Sequence, residues 1–155
     1  MKHLSILVVV LATFCAACRA QETADVKTES KIPPALDEYK GRTIAQTMHY
    51  AGAPWLIRES RQREEDCERM LVNLGVKEGM TICDMGCGNG FYSLQLATMV
   101  GDTGRVLAVD VQPQMLKLLR DRMEQHGIDN ITPILGSFHN PRLPREQVDI
   151  MFCVD

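Results

Sequence analysis

The chain has 155 residues, of which 45% are apolar and 24% charged, and a formal net charge of −3. That length suggests one domain, and the composition is that of an ordinary globular protein. The slightly acidic balance, with no basic stripe interleaved with aromatics, argues against a nucleic-acid partner.

Met1-Lys2-His3 is a short basic start, Leu4–Ala17 is almost wholly apolar, and Cys15–Ala20 is rich in small residues. This is the layout of a secretory signal peptide over residues 1–20. The apolar run is shorter than the ~20 residues a membrane span needs. Two cleavage sites stay open. Ala16-Ala17-Cys18 is similar to a bacterial lipoprotein box, with Cys15 where leucine is usual; cutting there would leave Cys18 lipidated and the protein tethered to a membrane. Cutting after Ala20 would release a free exported protein. Gln21–Lys40 is polar and charged apart from Ile32-Pro33-Pro34, and cannot bury enough apolar surface to offset chain entropy. It reads as a linker.

Residues 41–75 read as an N-terminal helical cap. Ile44 and Met48 lie near helical spacing, so Thr43–Tyr50 is expected to be a short helix, broken by Gly52-Ala53-Pro54. Trp55, the only tryptophan, either plugs the core or lines a pocket. Met48, His49, Tyr50 and Arg58 are pocket-lining candidates with it. Ser60–Leu74 is expected to be one helix, because Cys67, Met70, Leu71 and Leu74 form a single apolar stripe and Gly75 can end it. Its charged faces, including Arg61, Glu64 and Glu65, read as solvated surface laced with i,i+4 pairs.

Residues 76–155 carry the chemistry. Thr81–Asp84 is expected to be a buried strand running into a glycine-rich turn. Gly86, Gly88 and Gly90 let the backbone approach a ligand closely, since no Cβ intervenes. The helix Phe91–Val100 then points its N-terminus at that ligand, with Phe91, Leu94, Ala97 and Val100 buried. Val106–Val109 is a second strand ending in Asp110. A further helix starts at Pro113, buries Met115, Leu116, Leu119 and Met123, and closes at Gly127. Ile131–Leu135 is a third strand, placed at an edge by Pro133, and Val148–Val154 is a fourth, ending at Asp155.

The stretch Asp84-Met85-Gly86-Cys87-Gly88-Asn89-Gly90, with Asp110 one crossover later, resembles the class I S-adenosylmethionine-dependent methyltransferases, whose first motif reads D-x-G-x-G-x-G. It is most similar to their small-molecule branch, related to the ubiquinone and menaquinone biosynthesis enzymes, over about Met70 to Asp155. A dinucleotide fingerprint, G-x-G-x-x-G, would need a third glycine where Phe91 stands. The resemblance implies an α/β fold, a doubly wound parallel sheet of which only the first four strands are present, preceded by N-terminal helices. It also implies S-adenosylmethionine as cofactor. Asp84 and the amides of the glycine loop, Met85, Gly86, Cys87, Gly88 and Gly90, would hold the methionine moiety, Asp110 the ribose hydroxyls, and Val111 the adenine face. Ser137 stands where the family often has an acid beside the adenine, and Asp155 opens the motif next to the methyl group. No catalytic base can be named, and none is needed for an acceptor that is already nucleophilic.

The implied activity is methyl transfer to an unidentified small molecule. The alternative is a non-catalytic exported module that keeps a nucleoside-binding fold, and a dehydrogenase-type dinucleotide binder ranks third. Since the family's sheet is larger, a missing C-terminal half or a partner chain is also expected. Cys67, Cys83 and Cys153 lie on apolar faces or strands and Cys87 in the glycine loop. There is no C-x-x-C pair and no zinc-like Cys/His spacing, so no metal, disulfide or catalytic thiol is expected.

Overall fold

The computed structural model describes residues 36–145 and 148–154. The expected signal segment 1–20, the linker before residue 36 and Asp155 lie outside the described residues. Those described fall in one unit, Leu36–Asp155.

The chain enters through a small hairpin, β1 (Glu38–Tyr39) against β2 (Arg42–Thr43). Its turn residues Lys40 and Gly41 both have positive φ, 50° and 76°, which suits a tight two-residue hairpin. The linker therefore ends earlier than expected. The helix expected over Thr43–Tyr50 is absent: Thr43 is in the hairpin, and Ile44 and Met48 are exposed, so no packing partner rewards helical spacing. A 3-10 turn, Tyr50–Gly52, leads into α1 (Ala53–Leu56), with Pro54 in its first turn. Proline there starts a helix as readily as it stops one.

The expected helix Ser60–Leu74 is two helices, α2 (Arg61–Glu65) and α3 (Cys67–Asn73). Asp66 joins them in the left-handed conformation, φ 49° and ψ 47°, which aspartate tolerates better than most residues. The break lets each helix bury its own face. α3 buries Cys67 and Leu71, while α2 buries Arg61.

The rest is a parallel sheet. Its strands are β3 (Thr81–Met85), β4 (Arg105–Asp110), β5 (Ile131–Leu135) and β6 (Ile150–Cys153), in the order β5-β4-β3-β6. The helix α4 (Phe91–Val100) links β3 to β4, and α5 (Pro113–His126) links β4 to β5. β3 and β4 run in register from Thr81↔Arg105 to Met85↔Val109, which brings Asp84 and Asp110 to the same sheet edge. The chain turns back on the other side of β3 to place β6 there. Such a switch point opens a crevice beyond the strand ends. Pro133 sits in the outer strand β5, as its missing N–H requires.

The central strands read as apolar runs because helices and the cap cover them. Ile82, Cys83, Val106, Leu107 and Ala108 are all buried. α4 buries more than one stripe: Tyr92, Ser93 and Leu96 are inside along with Leu94, Ala97 and Val100. α5 buries Met115, Leu116 and Leu119 and ends at Gly127, φ 64°, whose N–H is bonded to the Glu124 carbonyl. On β6, Cys153 faces outward instead of into the core. Alternation puts Phe152 inside and Met151 and Cys153 outside.

Leu119 is fully buried and packs over the loop before α4, where a Cβ on Gly90 would collide with it. Leu119→Ala is expected to lower stability by about 2–5 kcal/mol, read from urea unfolding.

Candidate functional site

The elbow between β3 and α4 is built from its glycines. Gly86, Gly88 and Gly90 have φ of 77°, 55° and 80°. A Cβ on Gly88 would come within 2.8 Å of the Leu56 side chain, so the cap can lie directly on the loop. The loop is stapled to β4, Gly86 and Cys87 both donating to the Val109 carbonyl at 2.9 Å, while Gly90 donates to the Cys87 carbonyl at 2.9 Å. Gly88 N–H donates to Asp110 Oδ2 at 2.9 Å. These four amides are therefore taken within the protein, contrary to the expectation that the loop amides hold a ligand.

Asp84, 3% exposed, ends the buried part of β3. The Ser93 hydroxyl, one helical turn into α4, donates to its Oδ2 at 2.5 Å; Oδ1 has no partner among the described residues. Burial pushes the Asp84 carboxyl up to about 6, against the pull of the Ser93 hydrogen bond and with help from the negative charge of Asp110. Burial also drives the Cys87 thiol far above its ordinary range, so it stays protonated and unreactive.

Asp110, 7% exposed, is the hub of the edge. Besides Gly88, it accepts from the Gln112 backbone N–H at 2.8 Å through Oδ1. The Gln112 side chain then reaches the cap, donating to the Met48 carbonyl at 2.7 Å and accepting from the Tyr50 N–H at 2.9 Å. Asn89 makes the second tie, its Nδ2 donating to the Ala53 carbonyl at 3.0 Å. Arg122 of α5 secures the Asn89 carbonyl at 3.0 Å.

Under the cap lies a cavity of about 170 Å³, lined by Met48, Trp55, Leu56, Arg58, Arg61, Glu65, Asp84, Tyr92 and Val154. Trp55 is 59% exposed and no core plug. It stacks beneath Arg58 at 4.0 Å, a cation–π contact. Of the pocket-lining candidates, Met48, Trp55 and Arg58 line this cavity. His49 caps the 3-10 turn through the Ala51 N–H, and Tyr50 meets Gln112 through its backbone.

Asp84, Met85, Gly86, Cys87, Gly88, Gly90, Asp110 and Val111 all fall on the one strand edge, Val111 half-buried just beyond Asp110. Ser137 follows β5 in a small turn closed by its N–H to the Asn140 carbonyl, 2.8 Å, and stands one strand further out. Asp155 lies outside the described residues. Sequence patterns gave no sign of Ser93, Asn89, Gln112 or Tyr92. Arg61 was placed on a solvated face and is buried instead, its guanidinium over the rings of Phe91 and Tyr92.

A switch-point crevice with a glycine elbow and two strand-end acids fits several nucleoside-binding families. The sequence model of the methyltransferase domain family matches residues 76–155. The chain belongs to this family. Among curated methyltransferases it is 30% identical over 96 residues to the ubiquinone/menaquinone biosynthesis C-methyltransferase of Azotobacter vinelandii, covering 59% of this chain and 38% of that enzyme. It is 34% identical over 61 residues to the protein-L-isoaspartate O-methyltransferase of Methanococcoides burtonii, covering 39% and 30%. Among solved structures, an S-adenosylmethionine-dependent methyltransferase from Aquifex aeolicus superposes with a TM-score of 0.64 at 34% identity, over 68% of this chain and 56% of that one. The chain thus spans less than two fifths of the length of these two curated relatives. The methyltransferase fold it shares with the Aquifex protein is the parallel sheet with flanking helices described above.

Within this methyltransferase fold, the buried Asp84 carboxylate is held at a cost. Its proton is bound more tightly in the folded chain, about 6 against the ordinary 3.8. The folded state is therefore favoured by this group below the unfolded value, and the advantage is lost as pH rises through about 6. Asp84→Asn is expected to raise the unfolding free energy at pH 7 by about 1–3 kcal/mol. The gain should shrink to nothing near pH 4 in urea unfolding carried out across that range.

Proposed function

We propose that this chain holds S-adenosylmethionine across the ends of β3 and β4 and serves methyl transfer to a small-molecule acceptor. The observation that carries the reading is a pair of buried carboxylates, Asp84 and Asp110, on adjacent parallel strands with the glycine elbow tied between them. The donor set suits the cofactor. The free Oδ1 of Asp84 would accept from the amino group of its methionine part. A carboxylate offers about four acceptor positions, and backbone amides occupy two of those on Asp110, which leaves room for ribose hydroxyls. Val111 would supply an apolar face for adenine, Ser137 a hydroxyl near its amino group, and Asp155 a carboxylate toward the methyl group. Met85, Gly86, Cys87, Gly88 and Gly90 would shape the wall through close backbone approach rather than through their amides.

A bound sulfonium brings its own activated methyl group. The protein's share is then to align the acceptor and exclude water, which suits a cap seated on the elbow through Leu56, Asn89 and Gln112. Tyr92 donates its hydroxyl to the Cys67 sulfur at 3.2 Å, and its environment holds the phenol above its usual range, so it stays neutral and serves as wall. The same proposal includes export through residues 1–20, with Cys18 as the candidate lipid anchor, and mass spectrometry of the mature N-terminus decides between a lipidated and a free form.

Calorimetric titration of the full chain is expected to show binding of S-adenosylmethionine and S-adenosylhomocysteine and none of NAD; binding of NAD alone would overturn the reading. Labelled methyl transfer to a panel of quinols, phenols, amines and thiols then separates an enzyme from a binding module. Asp110→Ala is expected to weaken S-adenosylhomocysteine binding by ~1.5–3 kcal/mol. It should also loosen the elbow, since Gly88 and Gln112 lose their acceptor. Unchanged affinity would remove the ribose role from Asp110.

A further inference from the structure

A second cavity, of about 620 Å³, lies between α4 and α5 and shares no lining residue with the one under the cap. α4 faces it with Phe91, Leu94, Gln95 and Thr98, whose i, i+3, i+4, i+7 spacing is one helix face. α5 faces it with Arg122 and, one turn later, His126, and Ile128 follows beyond the helix end. The polar groups of α4 are turned back on their own helix: Gln95 Nε2 donates to the Phe91 carbonyl at 2.9 Å and Thr98 Oγ1 to the Leu94 carbonyl at 3.2 Å. Those donors are spent, and Phe91, Leu94 and Ile128 supply an apolar floor.

Arg122 brings a positive charge to this cavity, and no acidic residue lines it. The side chain is half-buried. Its Nη1 donates to the Asn89 carbonyl at 3.0 Å, which fixes the guanidinium at the elbow end of α4. No carboxylate pairs with it among the described residues, which leaves its other donors available. Burial holds the group below its ordinary range, yet a guanidinium stays charged in a protein. A cation that has lost water and gained no counter-charge favours an anion beside it. The closing carbonyls of α5, Met123 and Glu124, would repel an anion, but the N–H groups of Ile128 and Gly127 occupy them.

We propose that this cavity binds a single-chain amphiphile with an anionic head, a fatty carboxylate of medium length. The carboxylate would lie on the Arg122 guanidinium, a pairing arginine's fork suits, with a further N–H from His126 at the rim. The chain would lie along Phe91, Leu94 and Ile128. Size favours a small ligand over a partner helix. From Phe91 to Thr98 the face of α4 is about 10 Å long, too short to seat the three to four turns of an average helix. The volume, about 620 Å³, falls within the roughly 300–1,000 Å³ of small-molecule sites. Because the two cavities are separate, this site stands apart from the cofactor reading.

Octanoate, octanol, butyrate and inorganic phosphate are titrated separately into the isotope-labelled full chain, below the micelle concentration of octanoate, and backbone amide shifts are followed by NMR. Octanoate is expected to shift Gln95, Thr98, Arg122 and His126 and to bind roughly 10-fold more tightly than octanol. Each methylene added between butyrate and octanoate should tighten binding roughly fourfold. Arg122→Gln should bring octanoate down to octanol, but it also releases the Asn89 carbonyl. Gln95→Glu avoids that: it places a carboxylate in the same cavity, and should remove most of octanoate's advantage while octanol affinity and urea unfolding stay unchanged. Equal affinity for octanoate and octanol overturns the inference on the unmodified chain alone. So do octanoate shifts that map to the cap cavity around Trp55 and Asp84, and phosphate binding as tight as that of octanoate, which would mark a simple anion site. The absence of saturable octanoate binding overturns it too, and if vesicles of anionic phospholipid then produce the shifts, the face belongs to a membrane surface instead.

Discussion

The Asp110 carboxylate is the joint on which the rest of this edge depends. One of its oxygens fixes Gly88 in the elbow, and the other fixes the backbone of Gln112, whose side chain holds the cap at Met48 and Tyr50. Three segments far apart in sequence are thereby set by one side chain. The energetic logic is that of a buried charge, which is tolerated only when hydrogen bonds replace its lost water. Bonds from backbone N–H groups to a carboxylate are among the stronger ones available, so the same contacts that satisfy the buried side chain also fix loop and cap.

Asp84 is arranged differently, and the contrast is informative. It has a single hydroxyl donor, and burial outweighs that bond. A group left partly unsatisfied at a cost to stability is common where a site is shaped for something other than folding. Arg61 lines the same small cavity from the cap side, held by Glu65 and the Leu56 carbonyl.

The sheet was legible in the sequence because its signals are local and mutually consistent. The bounds of α4 and β5 agree with the residues read from periodicity, Pro133 was correctly assigned to an outer strand, and Pro113 and Gly127 mark the two ends of α5. The cap was much less legible. A stripe of apolar residues over Ser60–Leu74 looks continuous, and nothing in its spacing reveals that Asp66 takes a left-handed conformation. Without that kink Arg61 belongs to a solvated face; with it Arg61 is buried, while its partner Glu65 stays exposed. Ser93 and Gln112 were missed for a related reason: a small or neutral polar residue beside a motif carries no pattern of its own until the partner that needs it, Asp84 or the cap backbone, is brought near by the fold. Cys153 was read as buried because its strand is uniformly apolar, whereas its face is fixed by the alternation around Phe152.

The match to the methyltransferase domain family begins at residue 76, so it includes Asp84, the elbow and Asp110, and excludes Met48, Trp55, Arg58, Arg61 and Glu65. The first group comes from a strand-turn-helix unit whose geometry is nearly dictated by the glycines. The second comes from short helices with few internal hydrogen bonds, positioned by side-chain ties to Asn89 and Gln112. Their contacts to the rest of the chain run through Leu56, Asn89 and Gln112, through Arg61 over the rings of Phe91 and Tyr92, and through Cys67 and Leu71 in the core. The cap side of the cavity is therefore built from short elements that precede the family match, and its other side from the strand-turn-helix unit within it.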